Sequence, residues 1–161
     1  MSQKLKSFLI GSVQLSAAAI YTLKRETELK LIITKKDNGY NSDYINIKKK
    51  FKNIEVVQTN NINNSFIERK LKKYNLDIGF CVGWNQIIKK KIFSIPKRGI
   101  IGHHSSLLPY NKGKHPLIWA IFLNLNETGS TFFKLDNGID SGKIINQKKI
   151  KITKTESVRE L

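Results

Sequence analysis

A single cysteine, Cys81, is all the thiol chemistry this chain carries. That excludes an internal disulfide and fits a reducing cytoplasm, so a cytoplasmic protein is expected. Cys81 lies in the apolar run Ile78-Gly79-Phe80-Cys81-Val82, where a buried structural thiol is expected rather than a reactive one. No stretch approaches the ~20 apolar residues of a membrane span, so no membrane partner is expected. The apolar segment after the charged start Met1 to Lys6 has the outline of a signal peptide. Gln14 and two serines interrupt it, however, and no clean cleavage site follows, so a first strand, loop and helix is the better reading. Zinc-ligand spacing, a Walker loop and a serine-hydrolase elbow are all missing, and no metal is expected. Acidic residues are also scarce, 12 against 29 Lys and Arg, for a formal charge of +17. Such a charge attracts polyanions such as RNA, a nucleotide-linked substrate or a phosphate-rich surface. Yet the lysines are scattered singly and in short runs (Lys48-Lys49-Lys50, Lys72-Lys73, Lys89-Lys90-Lys91). With no arginine-rich arm and no aromatic-basic RNA motif, general lysine, asparagine and isoleucine bias is favoured over nucleic-acid binding.

At 161 residues, with 40% hydrophobic and 25% charged residues, the chain is one globular domain's worth of sequence. Leu5 to Gly11 suits a buried strand and turn, and Leu15 to Leu23 has helical spacing. Leu29 to Thr34 and Ile54 to Val57 read as strands two and three, separated by the loop Asp37 to Asp43. Asn64 to Tyr74 reads as a helix, and Leu76 to Val82 as a fourth strand buried on both faces. A short helix is expected over Ile87 to Phe93, then a fifth strand from Arg98 to His104. This alternation is the signature of an α/β, doubly wound, mostly parallel sheet. A helix follows from Pro116, through Leu117 to Leu125. Two further strands, Gly129 to Leu135 and Lys143 to Ile152, flank the turn Asp136-Asn137-Gly138. Thr155 to Leu161 reads as a helix opening with Thr155 as N-cap, which implies a single domain over 1–161 that stops short at its C-terminus.

The stretch Gly99-Ile100-Ile101-Gly102-His103-His104-Ser105-Ser106-Leu107-Leu108-Pro109 runs off the carboxyl end of a strand, where open α/β sheets place ligands. His104 is therefore placed to carry a proton, although a lone histidine there is more often an ordinary hydrogen-bonded residue. Asp140, in Asp136-Asn137-Gly138-Ile139-Asp140-Ser141-Gly142, either caps its turn or orients a histidine. A His and an Asp at separate loop tips of one sheet would serve as an acid-base pair if the fold brings them together. Gly11 to Ser16 could receive a phosphate at a helix N-terminus, but its glycine spacing is wrong and a plain turn is preferred. Lys112-Gly113-Lys114-His115 is either an anion-binding loop or a solvated one.

His104-Ser105-Ser106-Leu107-Leu108-Pro109, then Gly113, Pro116 and Ala120, resembles the signature of the 10-formyltetrahydrofolate-dependent formyltransferases. So does Thr128-Gly129-Ser130-Thr131 followed by Asp136, Gly138, Asp140 and Gly142, with the strongest similarity over Leu76 to Ile152. The resemblance implies a Rossmann-like formyltransferase fold and a one-carbon transferase, with 10-formyltetrahydrofolate as formyl donor and a primary amine as acceptor. It maps the proton-transferring histidine to His104 and the aspartate that tunes it to Asp140. It maps pterin-binding groups to Trp84, Gln86, Ile88, Asn137, Gly138, Ile139 and Asp140, and substrate-binding positions to Gly102, Ser106, Asn111 and Lys112.

One position departs from the family pattern. An asparagine is usual two residues before the histidine, and Gly102 stands there. Gly102 and His104 share a strand face while His103 points to the other, so His103 is no substitute. Losing one oxyanion donor typically costs about 10²–10³ in rate. Asn85, Gln86 or Asn111, a bound water, or an impaired protein would each account for the glycine. The segment Gly113 to Ala120 resembles formyltransferases acting on nucleotide-linked amino sugars. A sugar or other small amine is therefore preferred as acceptor over the tRNA of methionyl-tRNA formyltransferases, which carry a further C-terminal domain. A non-catalytic folate-binding or degenerate relative is the rival from another class, and a homodimer is left open.

Overall fold

The computed structural model describes residues 3–37, 39, 42–153, 157–158 and 160. They form two compact units, Met1–Ile101 and Gly102–Leu161. The helix opening read at Thr155 falls largely outside the described residues, Thr155 included.

In the first unit, strands β1 (Lys6–Ile10), β2 (Glu28–Thr34), β3 (Glu55–Gln58) and β4 (Ile78–Cys81) alternate with helices α1 (Gln14–Glu26), α2 (Ile47–Lys50), α3 (Ser65–Lys73) and α4 (Lys90–Phe93). The strands lie in the order β3-β2-β1-β4, with the start of β5 (Ile100–His104) next. The pairs β1–β2, β1–β4 and β2–β3 are all parallel. Branched and aromatic residues place Phe8, Leu9, Ile10, Leu31, Ile32 and Ile33 wholly out of solvent. Helix α1 lays Ala17, Ile20 and Leu23, at three-residue spacing, against Leu9 and Ile32. Ser16 Oγ accepts from the Val13 N–H (3.1 Å) at the start of α1 and donates to the Val82 carbonyl (2.6 Å). The helix stops at Thr27, whose hydroxyl and N–H both return to the Leu23 carbonyl.

Three local readings are corrected. Helix α2, not expected from sequence, forms because the Asn46 side chain accepts from Lys49 N–H and buried Ile47 joins the core. The helix expected from Ile87 begins only at Lys90. Asn63 intervenes, donating to the Ile87 carbonyl and accepting from Lys89 N–H (both 2.8 Å), which keeps the chain extended there. Strand β4 is buried on both faces only at Gly79, and Cys81 is half-buried rather than enclosed.

In the second unit, the end of β5 is followed in the sheet by β6 (Glu127–Lys134) and β7 (Ile144–Lys151). Strands β6 and β7 pair antiparallel, from Glu127 opposite Lys151 to Phe133 opposite Ile144. Helix α5 (Pro116–Phe122) opens on Pro116 as read, but ends before Leu125 because Asn124 turns left-handed at φ 50°. The sheet is mostly parallel, as the alternation of elements implied. No helix among the described residues is long and apolar enough to cross a membrane.

Ser16→Ala strips a part-buried N–H and a buried carbonyl of their partner at once. The expected cost is about 1–3 kcal/mol, read as a lower urea midpoint with unchanged slope. An unaltered midpoint would show that the hydroxyl contributes nothing.

Candidate active site

Strand β5 sorts its last three residues by the two-residue alternation of a pleat. Gly102 and His104 are buried, and His103, between them, is only part-buried and on the other face. The His103 ring shares a 2.8 Å hydrogen bond with Ser130 Oγ and tilts against Phe132, with ring centroids 5.0 Å apart. Burial, and secondarily the nearby His104, hold the His103 imidazole below its ordinary pKa. Its role is therefore that of a neutral packing residue.

His104 is met by an oxygen on each side. Its Nε2 is 3.0 Å from the Asn111 carbonyl oxygen. Its Nδ1 is 3.7 Å from Asp140 Oδ2, longer than a direct hydrogen bond and within ion-pair range. Asp140 Oδ2 also accepts the Gly113 N–H at 3.0 Å. Asp140 itself is left-handed (φ 47°), a conformation its short polar side chain tolerates. The loop that reaches His104 is anchored at its root. Ser106 Oγ, fully buried, donates to the Tyr110 carbonyl (2.9 Å), and Thr131 Oγ1 donates to the Ser106 carbonyl (2.6 Å). Gln147 Nε2 then donates to Thr131 Oγ1 (2.8 Å) and the Leu108 carbonyl (2.9 Å). Gln147 was not singled out from sequence, because nothing local signals that a strand residue of β7 will brace a loop 39 positions away.

The sequence-derived candidates thus separate. His104, Asp140, Asn111 and Gly113 come together in the second unit. Lys112 is exposed between Asn111 and Gly113. Ser106 spends its hydroxyl within the loop. Asn137, Gly138 and Ile139 form the exposed start of the Asp140 loop, where Gly138 N–H and Ser141 Oγ both donate to Asp136 Oδ1.

Trp84, Gln86 and Ile88 belong to the first unit. Gln86 is committed at both ends of its amide, accepting from Ile62 N–H and donating to the Asn60 carbonyl. Asn85 accepts from Lys35, and Ile88 is buried. Trp84 Nε1 is buried with no hydrogen-bond partner, a donor that a bound ligand would satisfy. The Lys35 ammonium sits 4.9 Å from the Trp84 ring centroid.

Gly102 is not an empty space awaiting a longer side chain. A Cβ there would lie 2.8 Å from Leu135 Cδ2 and 3.0 Å from Phe133 Cζ. Of the donors proposed to replace an asparagine at this position, only Asn111 shares the unit that holds His104.

A formyl transferase family model matches residues 7–161. The chain belongs to the formyl transferase family. Among curated formyltransferases, the methionyl-tRNA formyltransferase of Wolbachia pipientis is 31% identical over 160 residues, 96% of this chain and 52% of that protein. The methionyl-tRNA formyltransferase of Prochlorococcus marinus is 36% identical over 95 residues, 59% of this chain and 28% of that protein. The chain therefore spans about half or less of these relatives' lengths. Among solved structures, phosphoribosylglycinamide formyltransferase from Bacillus halodurans has TM-score 0.79 at 23% identity, over 96% of this chain and 84% of that one, which is a likeness of fold. WlaRD, a sugar 3N-formyl transferase solved in the presence of dTDP and 5-N-formyl-THF, has TM-score 0.71 at 26% identity, over 99% of this chain and 56% of that one.

Two outcomes follow for this chain. Gly102→Asn must displace Leu135 and Phe133, an overpacking of about 1–3 kcal/mol seen as a lowered Tm; an unchanged Tm would mean those side chains yield freely. For His103, whose folded pKa is depressed, the unfolded chain binds the proton first as pH falls below about 6.5, so its contribution is present above that pH and lost below it. His103→Gln should accordingly lose less stability than the wild type between about pH 7 and pH 5, by urea unfolding at each pH. Parallel losses in the two proteins would contradict the burial argument.

Proposed function

We propose that the chain transfers a formyl group from 10-formyltetrahydrofolate to a primary amine, with His104 as the proton-transferring group and Asp140 as its partner. The observation that carries the reading is the His104–Asp140 pair, 3.7 Å apart at the end of β5 and on the β6–β7 loop of one unit, in a chain of the formyl transferase family. Attack by an amine nitrogen on the formyl carbon makes a C–N bond and leaves a surplus proton on that nitrogen. His104 accepts the proton and returns it to the departing folate nitrogen, so charge and protons balance. The Asp140 carboxylate stabilises the imidazolium formed between those steps. The bound folate supplies the activated one-carbon unit. The unpartnered indole N–H of Trp84 is a donor we assign to holding it, which is compatible with its chemistry.

For the acceptor, methionyl-tRNA is the better supported choice. Relatives bearing that name match across nearly the whole chain, one at 31% identity. This reverses the preference for a sugar or other small amine drawn from the segment Gly113 to Ala120. The amino-sugar reading is kept as the second because of the likeness to WlaRD over 99% of the chain. In the tRNA reading the formal charge of +17 favours binding of the polyanion, with steep salt dependence.

Transfer of labelled formyl from 10-formyltetrahydrofolate to methionyl-tRNA and to a nucleotide-linked amino sugar separates the two acceptors. His104→Ala should lower kcat by about 10²–10⁴ while folate binding persists. Wild-type turnover in the variant would remove His104 from the chemistry, and transfer to the sugar alone would overturn the tRNA assignment.

A further inference from the structure

Both partners of the proposed reacting pair are gripped by the same short loop. Asn111 offers its backbone carbonyl to His104 Nε2 at 3.0 Å, and two residues later the Gly113 N–H holds Asp140 Oδ2 at 3.0 Å. Neither contact uses a side chain of the loop. Each needs an unusual backbone instead, since Asn111 sits at φ 52° and Gly113 at φ 101°. Nothing lies within 4 Å of the position a Gly113 Cβ would take, so that glycine answers to backbone conformation and not to crowding. Asn111 is exposed, and an asparagine is one of the few side-chain-bearing residues that visits the left-handed region readily. The loop's root is braced by Ser106, Thr131 and Gln147, so the two backbone contacts are held rather than incidental.

A carbonyl oxygen only accepts, and this fixes the direction of the first contact: Nε2 must carry the proton. Nδ1 is then the lone-pair nitrogen of the neutral ring, and it faces Asp140 Oδ2 at 3.7 Å. Two acceptors that far apart do not bond to each other. They suit a single nitrogen bearing two hydrogens, placed about 2.9 Å from each. A primary amine is such a group.

We propose that Asn111 is a positioning residue, whose left-handed backbone selects the Nε2–H tautomer of His104 and so makes Nδ1 the proton-accepting nitrogen. This rests on the reading of His104 as the proton-transferring group. The titratable groups beside His104 are Asp140 on the β6–β7 loop and His103 on the same strand but its opposite face, while Lys112 and Lys114, which flank Gly113 in the chain, are exposed. None of them offers the constraint on Nε2 that the Asn111 carbonyl imposes.

The test is imidazole ¹⁵N NMR of the full chain at alkaline pH, where neutral histidine tautomers are distinguished, with His104 assigned by its loss in His104→Gln. Wild type should show His104 protonated at Nε2 alone. Asn111→Gly, which enters the left-handed region freely, should keep that tautomer. Asn111→Val, whose branched side chain resists that region, should mix the tautomers and lower kcat by about 10²-fold, with little change in KM for the formyl donor. A wild-type ring protonated at Nδ1 overturns the proposal without any variant having to fold. So does an Asn111→Val protein that keeps both tautomer and kcat. Absence of formyl transfer with every amine would defeat the proposed function yet leave the tautomer measurement intact, so the two failures are distinguishable.

Discussion

The pleat of one short strand governs everything at the candidate site. Because β5 alternates, His104 cannot face the Asp140 loop unless Gly102 shares its side and His103 is turned away. His103 consequently needs its own environment, which Ser130 and Phe132 supply. Position 102 needs a residue small enough to leave room for Leu135 and Phe133, and glycine meets that demand. Two adjacent histidines thus have opposite fates, one neutral and packed, the other bracketed by acceptors.

The strand positions a ring, but loops decide what the ring can do. The Asn111 and Gly113 backbones act on His104 and Asp140 from one side, while Thr131 and Gln147 of the β6–β7 hairpin secure the root of that loop. The strands thus hold this loop in one geometry, and in the proposed reaction that geometry rather than an exotic side chain supplies the proton acceptor. Formyl transfer asks for little more, since the activated carbon comes with the donor.

Much of this was legible beforehand. Branched apolar runs gave β1, β2 and β4 to within a few residues, because burial of a parallel strand leaves few residue choices. His104 and Asp140 stood out through their motifs, and the structure sets them 3.7 Å apart. The misses share a cause. The start of α4 was misread because Asn63, more than twenty positions earlier, captures the backbone at Ile87 and Lys89. Cys81 looked enclosed from its apolar neighbours, yet is half-buried. Gly102 read as a missing side chain, but its space is filled by β6 and the residue after it. Gln147 carries no local signal at all, and nothing local shows that the Asn111 carbonyl will meet His104. Each depends on a tertiary partner, which periodicity cannot register.

Binding of the formyl donor is the requirement on which the functional reading stands, and Trp84 provides the reporter. Titrating the purified chain with 5-formyltetrahydrofolate while following tryptophan emission should give a saturable change. That change should vanish in Trp84→Phe, which leaves the half-exposed Trp119 as the only indole. No saturable change in a protein shown to be folded by circular dichroism and calorimetry would contradict a folate-dependent transferase.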